Sequence, residues 1–378
     1  MATRLLLTRR GLAAGALAAL AAPAWADQAS LRVAQIVDLT GAHDVIGDSW
    51  RNGVEMAVQE INDAGGLLGG PVAVTTYDGR SNPAEARRIM QHIVGQGYAA
   101  VLGPVTEDAA RAAEEANRTA RVPQIVGGDA PTPSPADAPP ILRAAPSKSR
   151  CMGWLAEWLR QTLKPRRVAL FAAPDEPFRT SRDALAHELR GHGIEVAPPI
   201  APERPGEAAR AALAGVDAAF LALPVEECVR TLEALRRLAP ALPLFGDAAL
   251  VRAPVIARAG PLAEGLRALV AMTPEGPTPA LAGFRQRYQD RCKEPPDEPA
   301  LAGYVALAVL KAAAERTDNL DRAGLATALR GKSLTAAEAP MLLLDSAWDA
   351  DGDIERPCWL AEVRDGKPVA VQTLPSRS

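Results

Sequence analysis

The chain alternates short apolar runs with longer amphipathic segments, and it does so twice in series. The run at 31–37 predicts a β-strand, and the segment at 50–66 predicts a helix because Val54, Val58 and Ile61 share one helical face. Further strand and helix patterns follow at the same pitch. This repetition predicts a parallel sheet with helices on both of its faces.

Two proline-rich stretches interrupt the alternation, one at 130–141 and one at 272–279. After the first stretch the strand–helix pattern restarts, and after the second come two helical segments. The tail ends in two short strands around Asp365 and Gly366, a sequence typical of a hairpin turn. The sequence therefore predicts two open α/β lobes in series.

The first 26 residues have the pattern of a secretory signal peptide. Arg4, Arg9 and Arg10 precede an uncharged run rich in alanine and leucine, which ends in small residues around Ala24 and Ala26. The paired arginines favour twin-arginine export and leave the general route open. We expect the mature chain to begin at Asp27 and to reside in the periplasm.

Charge argues against a nucleic-acid partner. Without the signal segment, 39 basic and 45 acidic residues remain, a net charge of −6 with no basic cluster. The four cysteines, Cys151, Cys228, Cys292 and Cys358, are too widely spaced for a metal site. One or two disulfides and buried free thiols both remain open. Of the possible pairings, Cys151 with Cys228 is slightly preferred over Cys292 with Cys358.

Motifs that suggest enzyme chemistry lack their partners. Ser49 follows Gly-Asp as in some hydrolases, but it lies well past the strand and no late histidine could serve as its base. His187 and His192 are five residues apart, so they point in different directions on a helix and cannot share a metal. The acidic run 349–353 is predicted to be a turn rather than a calcium loop. We expect no catalytic residues, no metal and no cofactor.

The most specific stretch is LRVAQIVDLTGAHDVIGDSWRNGVEMAVQEINDAGGLLGGPVAVTTYD, followed by NPAEARRIMQHIV, AVLGPVTEDAARAA and VPQIV. Later segments are RRVALFAAPDEPF, LPLFGDAAL, AEGLRALVAMTPEG and WDADGD. Through these motifs the chain resembles the branched-chain amino-acid (leucine/isoleucine/valine) binding proteins, which have the type I periplasmic binding fold. The resemblance covers essentially all of the mature chain.

This resemblance implies two lobes joined by a hinge of three crossovers. The crossovers are expected near Ala144–Ser147, Ala271–Pro274 and Asp345–Asp349. Lobe one would comprise residues 27–144 plus 275–346, and lobe two residues 145–274 plus 347–378.

The resemblance also places the ligand-binding residues. Thr106 and Glu107 match a family position that usually holds a hydroxyl for the ligand's carboxylate, and Gly128 and Asp129 match a second loop. In lobe two, Phe178 or its neighbour matches a ligand-facing tyrosine, and Asp247 matches an acid for the ligand's ammonium group. For Asp247, capping of a helix start is an equally good interpretation.

Function follows as an expectation from the same resemblance. The chain would be the periplasmic solute-binding component of an ABC importer, a monomer that delivers an amino acid or related compound to a membrane permease and ATPase. Two alternatives are a periplasmic sensor of the same fold and, less favoured, an exported hydrolase.

The acid at Glu107 makes a standard branched-chain amino acid questionable, since a carboxylate there would repel the ligand's own carboxylate. We expect either that Glu107 turns to solvent, while Thr106 and backbone amides hold the carboxylate, or that the ligand is an amide, a cation or another small organic molecule.

Overall fold

The structure is a computed structural model, and it describes residues 31–127, 141–175, 178–197, 213–273, 275–318 and 320–374. The predicted signal peptide and its cleavage site lie outside the described residues. Among those residues, no helix combines the length and apolar character needed to cross a membrane.

A five-stranded parallel sheet forms the first lobe, with strand order β2-β1-β3-β4-β5. The strands are β1 (Leu31–Val37), β2 (Val72–Asp78), β3 (Ala100–Leu102), β4 (Gln124–Val126) and β5 (Ile141–Arg143). The helices between them are α1 (Asp44–Asp63), α2 (Pro83–Ile93) and α3 (Glu107–Asn117). Apolar residues of these elements form buried clusters on both faces of the sheet, as the alternation predicts.

A seven-stranded sheet forms the second lobe, with strand order β15-β14-β10-β9-β8-β6-β7. Its parallel strands are β6 (Arg167–Ala172), β7 (Glu195–Val196), β8 (Ala218–Ala222), β9 (Leu244–Gly246) and β10 (Arg267–Val270). Their order repeats that of the first lobe. The antiparallel edge is β14 (Cys358–Arg364) and β15 (Lys367–Leu374), whose turn at Asp365-Gly366 confirms the predicted hairpin.

The helices of the second lobe are α4 (Lys148–Trp158), α5 (Phe178–Gly191), α6 (Val225–Leu238) and α7 (Ala253–Ala259). A π-helical turn, Leu159–Leu163, extends α4, and a short 3₁₀ turn, Ala248–Val251, follows β9. Two 3₁₀ turns lie elsewhere, at Gly260–Ala263 and Pro340–Leu342.

Three helices after β10 return to the first lobe: α8 (Pro279–Cys292), α9 (Glu298–Thr317) and α10 (Arg322–Thr327). Three short antiparallel strands follow, β11 (Lys332–Leu334), β12 (Ser346–Trp348) and β13 (Ile354–Glu355). The chain then joins the seven-stranded sheet at Cys358. The lobe boundaries expected from the resemblance remain a prediction.

Helix α9 packs directly on α1 because glycine lies at both contact points. A Cβ added at Gly53 would lie 1.9 Å from the carbonyl oxygen of Ala300, and one added at Gly303 would lie 2.2 Å from that of Trp50. The two backbones therefore approach more closely than any larger residue permits. This contact fixes α1 along one side of the first lobe.

Helix α1 begins at Asp44, six residues before the start that the apolar pattern predicts. Residues 44–49 have no apolar periodicity, and Gly47 lowers their helix propensity. The fold nevertheless needs glycine there, since a Cβ at Gly47 would lie 1.8 Å from the carbonyl oxygen of Asp38. Tertiary packing thus overrides local propensity in this turn.

All four cysteines are free thiols in the structure, so the preferred disulfide pairing is wrong. Cys228 belongs to the apolar cluster on one face of the seven-stranded sheet, whereas Cys151 and Cys358 pack in the cluster on the other face. The sheet lies between Cys228 and the other two. A layer packs about 10 Å from the sheet that it covers, which exceeds the roughly 7 Å between Cα atoms that a disulfide allows. Cys292 lies in the first lobe.

Candidate ligand-binding site

A cavity of about 410 Å³ lies between the two lobes. Its walls come mostly from the segments that follow strand carboxyl ends in both sheets, the edge where open α/β sheets bind ligands. The residues that line it are His43, Ile46, Trp50, Ser81, Pro83, Val105, Thr106, Glu107, Asp108, Gly127, Ala145, Pro146, Lys148, Cys151, Met152, Phe178, Ser181, Asp247, Ala248, Ala249, Arg252, Leu269, Ala271, Met272, Glu298, Pro299 and Ala302. The volume suits a small organic molecule.

The start of helix α3 contributes part of the first-lobe wall. Thr106 occupies the N-cap position, yet its side chain makes no capping hydrogen bond. The first amides of α3 therefore lack the side-chain acceptor that a capping threonine usually supplies. A ligand oxygen could accept from these groups.

Glu107 does not turn to solvent. Its side chain is only 12% exposed, and its Oε1 accepts from Nη2 of Arg111 at 3.1 Å, one turn along the same helix. The first of the two arrangements expected from sequence is therefore wrong for this side chain. The pairing with Arg111 offsets part of the negative charge and leaves the carboxylate in the cavity wall.

Two aspartates shape the loops at the rim of this wall. Asp38 is buried, and its Oδ1 accepts from the amide of Ser81 at 2.9 Å. Burial raises the pKa of Asp38 above its ordinary value. Burial also acts to raise the pKa of Asp78, but hydrogen bonds from Arg80, Thr40 and Leu39 outweigh it and lower that pKa.

The second-lobe wall holds Phe178 and Asp247 opposite these groups. Phe178 is the first residue of α5. Asp247 directly follows β9, and its Oδ1 accepts from the amide of Ala249 at 3.1 Å, so the predicted N-cap is confirmed. Its Oδ2 accepts from Ser181 Oγ at 3.4 Å.

Four of the six predicted site residues thus line one cavity: Thr106, Glu107, Phe178 and Asp247. Gly128 and Asp129 lie outside the described residues. The adjacent Gly127, at the end of β4, does line the cavity.

Sequence reasoning missed several residues of the walls, above all Trp50, Lys148, Arg252 and Glu298. Trp50 lies in a segment assigned only to a helix, and Glu298 begins a helix far along the chain. Each of these residues reaches the cavity wall through packing against elements that are distant in the sequence, so local sequence patterns do not predict its position there.

An ion pair crosses the cleft between the lobes. Arg252 precedes α7 in the second lobe, Glu298 begins α9 in the first, and their side chains are 48% and 35% exposed. Both residues line the cavity, and the guanidinium donates to the carboxylate. The pair ties the two walls together away from the segments that connect the lobes.

In the part of the chain that the structure describes, no cluster of three or more histidine, cysteine, aspartate or glutamate side chains is arranged to hold a metal ion. The acidic run 349–353 forms a turn, as predicted: Oδ1 of Asp349 accepts from the amides of Asp351 and Asp353. What the cavity offers is enclosure, apolar surface and a few polar groups.

Comparison with known proteins gives a consistent result. The family model described as periplasmic binding protein matches residues 30–368. A Leu/Ile/Val-binding protein of Rhizobium johnstonii is 27% identical over 167 residues, which is 44% of this chain and 46% of that protein. The alignment therefore spans less than half the length of this curated relative.

Solved structures match over a longer span. An ABC transporter substrate-binding protein from Sphaerobacter thermophilus superposes with a TM-score of 0.80 at 20% identity, over 92% of this chain and 98% of that one. A solute-binding protein of an R. palustris ABC transporter, in complex with 4-hydroxybenzoate, gives 0.75 at 19% identity, over 93% and 98%. At these identities the likeness shows the fold, and it confirms the predicted two-lobed α/β class.

Proposed function

This chain belongs to the periplasmic binding protein family, and from that membership we propose that it captures a small organic molecule between its lobes as the solute-binding component of an ABC importer. The observation that carries the proposal is the cavity itself. It lies where the carboxyl ends of two sheets with the same strand order face each other. Molecules bound there contact both lobes at once, so binding favours the closed arrangement.

The binding residues we propose are Thr106, Glu107, Phe178 and Asp247, with Gly128 and Asp129 in the loop after β4. Thr106 and the first amides of α3 would donate to a ligand oxygen. Phe178 would pack on the ligand's apolar body. Asp247 keeps acceptor capacity beyond its cap and would accept from a ligand N–H group, since a carboxylate accepts about four hydrogen bonds.

The lobes would move about the three crossovers expected from the resemblance, near 144–147, 271–274 and 345–349. The closed form would be recognised by a membrane permease working with an ATPase in the periplasm, reached through the signal segment. Proteins similar to this chain include the Leu/Ile/Val-binding protein and the solute-binding protein in complex with 4-hydroxybenzoate described above. An amino acid or a small organic acid is therefore the class to examine first, and the carboxylate of Glu107 in the cavity wall adds small amides to it.

A thiol in the cavity wall offers a direct test. Cys151 lines the cavity and is partly exposed, whereas Cys292 is partly exposed in the first lobe, away from the cavity. Purified protein is screened by thermal shift against amino acids, aromatic acids, amides and polyamines. A compound that binds in the cavity slows alkylation of Cys151 by iodoacetamide and leaves the rate at Cys292 unchanged.

Stabilisation without protection of Cys151 would place the ligand elsewhere and contradict the proposal. Two other readouts separate the alternatives. Hydrolysis of generic esters by the pure protein would favour an exported hydrolase. Genes for a kinase or a regulator beside this one, in place of permease and ATPase genes, would favour a sensor.

A further inference from the structure

Trp50 carries a buried hydrogen-bond donor that has no acceptor. Its side chain is closed off from bulk water and lies in the cavity wall, and its Nε1 has no partner among the described residues. Two other buried tryptophans are paired: Nε1 of Trp158 donates to Gln372 at 2.8 Å, and Nε1 of Trp348 donates to the carbonyl of Arg143 at 3.0 Å. Since buried donors are nearly always paired, the exception at the cavity points to a ligand.

The position of Trp50 is fixed by its surroundings. Gly303 on α9 lets the two helix backbones meet at Trp50, where a larger residue would collide with its carbonyl oxygen. On the other side, a Cβ added at Gly127 would lie 3.6 Å from Cζ3 of the indole, so the ring lies against the end of β4. A donor held in place this way loses little entropy when it binds.

The same wall offers a second neutral donor, which is partly buried. The hydroxyl of Thr106 makes no capping bond at the start of α3, an eleven-residue helix whose first amides face the N-terminal end. Both residues line the cavity. Together they present neutral donors, and the group that suits neutral donors is a ligand oxygen with free lone pairs.

Charge on this wall disfavours an anionic oxygen. The described residues that line the first-lobe side include no lysine or arginine, and the basic side chain present is that of exposed His43. Three acidic side chains line it instead: Glu107, which pairs with Arg111, Glu298, which pairs with Arg252, and exposed Asp108. The cations that line the cavity, Lys148 and Arg252, belong to the second lobe. A carboxylate that faced Trp50 and Thr106 would lie beside these acidic side chains with no lysine or arginine lining the same wall, whereas a neutral carbonyl there would not be repelled.

Building on the proposed function, we propose that Trp50 is a specificity-determining residue whose Nε1–H donates to a neutral carbonyl oxygen, and that the ligand is a carboxamide with an apolar body. The amide nitrogen of such a ligand would in turn find acceptors among the acidic side chains. Nothing in this arrangement requires a cation on the first lobe.

Matched acid and amide probes test this selectivity. Isovaleramide is compared with isovalerate, and benzamide with benzoate, using isothermal calorimetry and protection of Cys151. We expect each amide to bind about tenfold more tightly than its acid. Trp50→Phe keeps an aromatic ring and removes the donor, and it should weaken amide binding about three- to tenfold. Trp158→Phe changes a tryptophan that does not line the cavity, and it should leave binding unchanged.

A spectroscopic readout keeps the test independent of variant stability. In wild-type protein labelled with ¹⁵N-tryptophan, the Trp50 indole N–H signal, identified by its loss in Trp50→Phe, should move downfield when an amide binds. Tighter binding of the acids, binding of 3-methylbutylamine alone, or an unmoved Trp50 signal in a protein that binds a probe would overturn this inference and leave the capture function standing. If none of these probes protects Cys151 while another compound of the wider screen does, the inference fails and the capture function stands. If no compound of the wider screen protects Cys151, the proposed function fails as well.

Discussion

Arg150 donates from Nε to Oδ2 of Asp353 at 3.0 Å, and this bond joins α4 to the turn before β13, some 200 residues along the chain. Asp353 also accepts from the amide and the hydroxyl of Ser147, at 3.1 and 2.7 Å, and lies 3.6 Å from Nε of buried Arg143. The carboxylate is buried, so these neighbouring protein groups, rather than bulk water, stabilise its negative charge. Close by, buried Arg356 donates to the carbonyl of Leu342 at 2.7 Å. These contacts hold together the segments in which the chain passes from one sheet to the other.

Asp353→Asn should destabilise the protein strongly. The change removes the negative charge that lies 3.6 Å from buried Arg143 and weakens the bond to Arg150, which costs about 3–5 kcal/mol. Asp349→Asn is the matched control, because Asp349 pairs with Arg150 from a position that is 40% exposed and should contribute about 0–1 kcal/mol. Urea unfolding of the two variants checks the difference. Equal midpoints would show that the buried charge at Asp353 does not hold these segments together.

Asp38→Asn and Asp78→Asn should change stability in opposite directions at pH 7. Burial raises the pKa of Asp38, so the ionised side chain destabilises the folded state above that pKa. Asparagine removes this destabilising charge and keeps an oxygen that accepts from the amide of Ser81. The pKa of Asp78 is lowered by hydrogen bonds that overcome its burial, so its contribution is present above its unfolded pKa and is lost as the pH falls. Asp78→Asn should cost about 1–3 kcal/mol at pH 7.

Denaturation at pH 7 and at pH 3 measures both effects. The difference in unfolding free energy between each variant and the wild type should become smaller towards pH 3. At that pH the carboxyl groups are protonated in the unfolded state, and that of Asp38 is protonated in the folded state as well. A loss of stability in Asp38→Asn at pH 7 would show that its charge is needed.

Gly53→Ala should lower the melting temperature, because the new Cβ would meet the carbonyl oxygen of Ala300 and force α1 away from α9, at a cost of about 1–3 kcal/mol or more. Gly283→Ala on α8 is the control. Its Cβ would meet only the flexible end of Arg287, at 3.3 Å, and alanine should add about 0.5–1 kcal/mol through helix propensity. Scanning calorimetry distinguishes the two, and a neutral Gly53→Ala would argue against the tight helix contact.

Arg252→Gln should weaken ligand binding by roughly two- to fivefold at low salt, since an ion pair at this exposure contributes about 0.2–1 kcal/mol to the closed arrangement. The effect should vanish in 1 M sodium chloride, where the pair is screened. Arg258→Gln removes an ion pair with Glu226 that lies within the second lobe, and it should leave affinity unchanged. An equal loss in both variants would mean that the Arg252–Glu298 pair has no special role across the cleft.

Sequence patterns predicted most of the architecture but only part of the cavity wall. The strand at 31–37 has the predicted bounds, because its apolar residues agree with its tertiary packing. The first turn of α1 departs from the pattern, since contact of Gly47 with Asp38 shapes it. The three-residue strands β5, β11 and β12 were missed because so few residues show no periodicity.

The residues of the cavity wall also divide into those that the sequence predicted and those that it did not. Thr106, Glu107, Phe178 and Asp247 came from motif resemblance and line the wall. Trp50, Arg252 and Glu298 join it only through the packing of α1 on α9 and the approach of the two lobes. The direction of the Glu107 side chain depends on Arg111, one helical turn away, which motif matching did not consider.

Small-angle scattering tests most directly whether the two lobes capture a ligand by closing on it. The protein is measured alone and with a saturating concentration of a compound that both raises its melting temperature and protects Cys151. Our account predicts a smaller radius of gyration with the compound, because the lobes rotate towards each other about the segments gathered at Asp353. An unchanged radius of gyration at saturation would contradict capture by closure.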